Sequence, residues 1–326
     1  MSLDAAPPSL TVVLPYYKRR YLDAALGSLA AQTDSRFTVL IGDDASPEDP
    51  TGILQRFQGR LDLRYHRFPS NLGRTALTAH WDRCVALVES SEWVWLFADD
   101  DEAAPDCVQS FRQSLAETRG EFDLYRFRLA VIDGAGKEIF RGAARPAVES
   151  GAEFVMSRFT AGHVSCAVEY IFRRAALASV GGFVAFPLAW YADDATWISL
   201  ARRRGMRTVS GGEIRWRVSG ANLSSTLPAN FVRKLSAFRL YLLWLRREFP
   251  DRDFQRKLRA ALIVWFPAQL TLWGATPTWI AGSRFWWFYT RYTGRIDLLV
   301  FRRLILSRRF ARWRGSNHQP SDPAAA

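Results

Sequence analysis

Apolar runs and polar loops follow one another along this chain in an order that predicts a layered α/β domain. Leu10-Thr11-Val12-Val13-Leu14 reads as a strand and runs into the loop Pro15-Tyr16-Tyr17-Lys18. Leu22, Ala25, Leu26 and Leu29 recur at helical spacing, and Phe37-Thr38-Val39-Leu40-Ile41 predicts a second strand ending in Gly42-Asp43-Asp44-Ala45-Ser46. Leu61-Asp62-Leu63-Arg64-Tyr65 alternates like a third, more exposed strand. Beyond Asn71-Leu72-Gly73-Arg74 a helix is expected through Leu77, Trp81, Cys84, Val85 and Val88. Trp93-Val94-Trp95-Leu96-Phe97 is bulky and apolar without alternation, as in a strand buried on both faces. Strand, helix, strand, strand, helix, strand predicts a mostly parallel twisted sheet flanked by helices. Further on, Leu129-Ala130-Val131 and Glu138-Ile139-Phe140 flank a Gly-containing turn and read as a hairpin.

Three of these strand ends carry polar loops, around Tyr17, at Asp43-Asp44 and at Asp99-Asp100-Asp101. Open α/β sheets place ligands at the carboxyl edge of their strands. Three consecutive carboxylates repel one another, and a hard cation such as Mg2+ or Mn2+, shared with substrate phosphates, is one compensation. The other reading is a solvated acidic turn entering a helix that has Pro105 in its first turn. A phosphate-bearing ligand with a metal suits a crevice where the three ends converge.

These residues resemble the family 2 glycosyltransferases, inverting nucleotide-sugar enzymes of the GT-A fold with a Rossmann-like nucleotide-binding half. The matching positions are Pro15, Tyr17, Gln32, Thr33, Asp43, Asp44 and Ser46, then Asn71 and Gly73, then Asp99-Asp100-Asp101 with Pro105. Gly181-Gly182-Phe183 and Tyr191-Ala192-Asp193-Asp194, with the helix to Arg204-Gly205, resemble the acceptor-side segment. The resemblance implies that Pro15 and Tyr17 line the base pocket and that Asp44 accepts a hydrogen bond from the base edge. It places Asn71, Gly73, Arg74, Asp99 and Asp100 on the donor, and Asp99 and Asp101 on Mn2+ or Mg2+. Asp194 is implied as general base, with Gly182, Trp190 and Asp193 on the acceptor side. Simpler roles stand beside these: turn chemistry for Asp44, a positive-φ turn for Asn71 and Gly73, and a helix cap for Asp194. Lys18 and Tyr16 depart from the family pattern. Ser219 stands where many relatives carry His, which leaves its task to Asn222, Arg217 or water.

Charge divides the chain. Across 326 residues the net charge is +12, yet residues 1–229 hold 26 Lys and Arg against 27 Asp and Glu, whereas residues 230–314 hold 18 against 4. A catalytic domain over 1–229, a helical basic segment over 230–314 and a disordered tail over 315–326 are therefore expected. Residues 260–283 contain no charge, but Pro267, Pro277 and Gly274 favour two short helices over a membrane span. Phe285-Trp286-Trp287-Phe288-Tyr289 suits headgroup depth, and the basic apolar stretch from Ile296 to Arg309 suits an anionic membrane surface.

The remaining motifs narrow the class. Cys84, Cys107 and Cys166 are odd in number and far apart, which suits a reducing compartment. His66, His80, His163 and His318 show no metal spacing. The expectation is a metal-dependent transfer from a nucleoside-diphosphate sugar, UDP first among the nucleotides, to a glycan or lipid-linked glycan, in the cytoplasm at the inner membrane face. No nucleic acid partner is expected. A basic-aromatic nucleic-acid or membrane-binding module and a metal-dependent phosphotransferase are the alternatives.

Overall fold

The computed structural model describes residues 9–218, 230–273 and 279–294. The chain divides into two compact units, Met1–Ser225 and Thr226–Ala326.

In the first unit four strands run parallel side by side: β1 (Leu10–Tyr16), β2 (Thr38–Asp43), β3 (Asp62–Arg67) and β4 (Trp93–Leu96), in the order β3-β2-β1-β4. Three helices lie between them in sequence, α1 (Leu22–Ala30), α2 (Thr51–Phe57) and α3 (Gly73–Ala86). The parallel block matches the apolar pattern, and β4 is buried at all four positions. Beyond it the sheet is mixed. β9 (Tyr170–Arg173) runs antiparallel between β4 and β6 (Leu124–Ile132), and β10 (Met206–Arg217) returns parallel to β6. Three short strands pair antiparallel at the far side: β5 (Glu102–Ala103), β7 (Glu138–Arg141) and β8 (Val148–Glu149). A four-residue strand such as β9 carries too little pattern to announce its neighbours, so only pairing decides them. The β6–β7 hairpin forms as expected.

Aromatic rings fill the space between the sheet and α4 (Cys107–Glu117). Trp93 meets Phe111 and Tyr125 edge-on at 5.5 and 5.4 Å, and Trp95 meets Phe97 and Phe127 at 5.2 and 5.4 Å. The buried Trp95 indole donates to the Val168 carbonyl at 2.8 Å, so its one polar atom is satisfied. Leu22, Ala25, Leu26 and Leu29 are all buried, the face that their spacing predicts. Gln32, just past α1, accepts from Val108 N at 3.0 Å and donates to Ala104 O at 2.7 Å, while Thr33 N donates to Pro105 O at 2.8 Å. The Gln-Thr pair thus ties α1 to the chain that follows the triple aspartate. Three further helices complete the unit: α5 (Gly151–Thr160), α6 (Arg174–Ser179) and α7 (Ala192–Leu200).

The second unit packs α8 (Phe231–Glu248), α9 (Arg252–Trp273) and α10 (Trp279–Thr293) around an aromatic core. Phe266 lies 5.2 Å from Phe238, 5.2 Å from Phe285 and 5.0 Å from Tyr289. The cluster expected at headgroup depth is therefore split: Phe285 and Tyr289 are core residues, whereas Trp287 is 58% exposed beneath the Arg291 guanidinium. Among the described residues no helix is long and apolar enough to cross a membrane. The basic stretch from Ile296 to Arg309 and the tail over 315–326 lie outside the described residues.

Candidate functional site

The carboxyl ends of β1, β2 and β4 are stitched together by side-chain carboxylates that accept from backbone amides. Asp99 Oδ2 receives Tyr17 N at 2.9 Å and Lys18 N at 2.8 Å, fixing the loop after β1 to the loop after β4. Ser46 Oγ donates to Tyr17 O at 2.7 Å, and Asp44 N to Tyr16 O at 3.0 Å. Asp43 is fully buried and accepts from Ser46 N at 2.7 Å and Arg67 Nη1 at 2.7 Å. Held this way, Tyr17 keeps its ring 41% exposed at the strand edge while Tyr16 is buried. Pro15 stays within β1, opposite Gly42.

Asp44, expected at the base edge, is fully engaged within the protein. Its Oδ1 accepts from Leu72 N at 2.8 Å and from Arg83, and its Oδ2 from Gly73 N and Asn71 Nδ2, both at 2.8 Å. A carboxylate offers about four acceptor positions. All are occupied, so Asp44 builds the loop and a base edge would have to displace one of its donors. Gly73 is required by this closeness and not by a positive φ: a Cβ there would lie 2.7 Å from Asp44 Oδ2. The positive φ of the region belongs to Ala45. Arg74 is exposed in the first turn of α3, its backbone N bonded to Asn71 Oδ1 at 3.1 Å.

The three aspartates sit apart in function. Buried Asp101 accepts Arg217 N on Oδ1 at 2.8 Å, which ties β4 to the end of β10. The Arg217 guanidinium donates to Asp100 O at 2.9 Å, to Asp133 O at 3.1 Å and to Glu102, and lies over the Tyr21 ring. It braces the loop after β4; Ser219 and Asn222 lie outside the described residues. Removal from water, then the charge of Asp99, pushes Asp100 up to about 7. Burial, then Asp100, pushes Asp101 well above the usual carboxylate range. Clustered acids so perturbed suit a cation. Among the described residues no three His, Cys, Asp or Glu side chains form a metal cage. Mg2+ and Mn2+ are commonly bound through one or two carboxylates together with substrate phosphates.

On the acceptor side, Gly182 has φ +93°, and a Cβ there would meet Asp82 Oδ1 at 2.7 Å. Asp82, on α3, also accepts Phe183 N at 3.0 Å. Leu188, Ala189 and Tyr191 all adopt positive φ, and Tyr191 begins α7 with no side-chain cap. Asp193 and Asp194 therefore fall inside the first turn, and neither is the cap residue. Asp194 is buried, its Oδ2 accepts from Arg158 Nε at 3.0 Å, and its buried Oδ1 has no hydrogen-bond partner among the described residues. Burial, then the Asp194 charge, pushes Asp193 up to about 7. Half-buried Trp190 meets the Tyr191 ring edge-on at 5.9 Å. The Cys166 thiol is pushed up by burial, then by Glu169, Asp101 and Asp193.

Arg158, Arg83 and Asp82 escaped the sequence reading. Nothing in their spacing marks them, because each acts on a partner 36 to 101 positions away.

Residues 11–164 match the family model described as Glycosyl transferase family 2. Two validoxylamine A glucosyltransferases, from Streptomyces hygroscopicus subspecies jinggangensis and limoneus, are each 36% identical over 75 residues. That stretch is 22% of this chain but only 18% and 16% of those proteins. Residues 1–349 of S. aureus TarS, in complex with UDP, superpose with a TM-score of 0.62 at 15% identity, covering 96% of this chain and 94% of that one. The mannosyltransferase PcManGT from Pyrobaculum calidifontis, in complex with GDP-Man and Mn2+, gives 0.52 at 15% identity, covering 93% and 89%. The likeness to both solved structures is one of fold, the α/β arrangement of GT-A enzymes.

Glu169 provides a test of this electrostatic picture. Burial holds it at about 7, above the ordinary 4.5, so the folded state binds its proton more tightly than the unfolded chain. Its contribution to stability is present below about 4.5 and lost as pH rises towards 7, at up to about 1.4 kcal/mol per pH unit. Chemical denaturation from pH 4.5 to 7.5 is expected to show Glu169→Gln removing that downward slope; identical slopes in both proteins would refute it.

Proposed function

Residues 11–164 form a family 2 glycosyltransferase domain, and from that premise we propose that the protein transfers a sugar from a nucleoside-diphosphate sugar to a hydroxyl of a glycan or lipid-linked glycan, with inversion. What supports the reading is one compact unit that holds three stitched strand-end loops together with a buried carboxylate bearing an unpartnered oxygen, Asp194 Oδ1. Tyr17 offers its exposed ring to the base, and UDP is the first nucleotide to test. Pro15 and the Asn71-to-Arg74 turn, held by Asp44, line the donor side. Asp99 and Asp101 would hold Mg2+ or Mn2+, with Asp100 beside the diphosphate. Bound there, the ion supplies positive charge where the departing diphosphate gains negative charge. The acceptor hydroxyl gives its proton to Asp194, and its oxygen forms the new bond to the anomeric carbon as the bond to diphosphate breaks. Gly182, Trp190 and Asp193 border the acceptor.

The second unit exposes Val264 (77%) and Trp287 (58%) on helices that also carry Arg256, Lys257 and Arg291. This mixture supports attachment to an anionic membrane surface.

Calorimetric titration with UDP, GDP, dTDP and CDP should show one nucleotide binding with Mn2+ and losing at least tenfold in affinity with chelator. Asp101→Ala should reproduce the chelator's effect, and unchanged affinity would move the metal from that residue. Asp194→Asn should abolish release of nucleoside diphosphate from UDP-glucose, UDP-N-acetylglucosamine or GDP-mannose while nucleotide affinity stays within about twofold. Undiminished turnover would remove Asp194 as base. Cosedimentation with phosphatidylglycerol vesicles, but not with phosphatidylcholine vesicles, checks the membrane reading; equal partition to both would sink it.

A further inference from the structure

The guanidinium of Arg158, on α5, approaches Asp194 from a helix that no family motif marks. Its Nε donates to Asp194 Oδ2 at 3.0 Å, and its Nη1 donates to the His163 carbonyl. The pair is shielded: the Asp194 side chain is 2% exposed and that of Arg158 20%. One carboxylate oxygen is thus clamped while the other, Oδ1, is buried with no hydrogen-bond partner among the described residues. Such a division is costly for a carboxylate that only holds the fold, since a buried oxygen without a hydrogen bond has lost its water for nothing. It suits a base that must present one oxygen in a fixed direction.

The clamp itself is anchored. Arg145, at the other side of His163, donates to Val164 O at 3.1 Å and Ser157 Oγ at 3.0 Å and contacts the His163 ring. Arg145 and the fully buried Arg126 both face Glu149. Burial and then Arg145 hold the His163 ring below its ordinary range. The segment ahead of α7 adds rigidity. Leu188, Ala189 and Tyr191 sit at φ of 62°, 52° and 65°. Non-glycine residues hold such angles only where surrounding structure imposes them.

We propose that Arg158 is the positioning residue of the reaction, fixing Asp194 through Oδ2 so that Oδ1 receives the acceptor's proton. The inference rests on Asp194 as base. The charged and titratable groups around the carboxylate are Asp193 and Tyr191 on its own segment and Arg158 from α5, with Cys166 and Glu169 beyond Arg158. Of these, only Arg158 is cationic, so its removal is the change that a titration of Asp194 should register.

The test is a carbon-13 carboxyl titration of the full chain labelled at aspartate, with Asp194→Asn assigning the resonance. In Arg158→Gln the Asp194 midpoint should rise by about 1–2 pH units, the usual effect of removing a contacting opposite charge. The acid limb of nucleoside-diphosphate release from the donor sugar should move upward with it. Arg158→Lys should keep the midpoint within about half a unit yet lower turnover at least tenfold, because a point charge replaces a directed fork. It also serves as the second variant should Arg158→Gln fail to fold. Nucleotide affinity should be unchanged in both. A midpoint that does not move in Arg158→Gln, or full turnover in Arg158→Lys, overturns the proposal. Full turnover in Asp194→Asn instead overturns the base reading, whatever the titration shows.

Discussion

Carboxylates that accept hydrogen bonds from backbone amides hold this site together. Asp99 binds two successive amides of the loop after β1, Asp44 binds two amides of the turn that opens α3, and Asp101 binds the amide at the end of β10. Each such bond to a charged acceptor contributes about 1.5–3 kcal/mol. Their greater consequence is geometric. Loops at the ends of separate strands have no ladder to fix them, and a shared carboxylate gives them a common reference atom. Tyr17 is presented outward because its own N–H and carbonyl are both tied down.

The same device carries an electrostatic cost. Asp99, Asp100 and Asp101 stand together with limited water, and each has its proton affinity raised by burial first. Asp193 beside Asp194 repeats the pattern. Arg217 relieves the first cluster mainly through its backbone amide and through a guanidinium turned to Asp100 O, Asp133 O and Glu102. Arg158 relieves the second by direct contact. Lys18 and Arg217 both act against the raised proton affinity of Asp100, as Arg158 does for Asp193.

Much of the first unit was legible because its signals are periodic and local. The runs from Leu10, Phe37, Leu61 and Trp93 became β1 to β4, and the face of Leu22, Ala25, Leu26 and Leu29 became the buried side of α1. Asp44 shows where reading stopped. Its place at a strand end was clear, but its saturation by Asn71, Leu72, Gly73 and Arg83 depends on a turn 27 to 39 residues later. Gly73 likewise looked like a turn glycine, whereas closeness to Asp44 requires it. The aromatic run from Phe285 to Tyr289 was misread in part because helical packing divides its rings between core and surface.

The sequence by itself determined which segments become strands, where acids gather at strand ends, and that the basic charge belongs to the C-terminal segment. Those properties follow from side-chain period and composition, which need no partner. Only the tertiary structure decided that β9 runs antiparallel between β4 and β6, that Arg217 is a brace, and that Arg158 clamps Asp194. Each of these depends on which distant atoms meet. The energy of a hydrogen bond or ion pair depends on distance and burial, and the linear order of residues specifies neither.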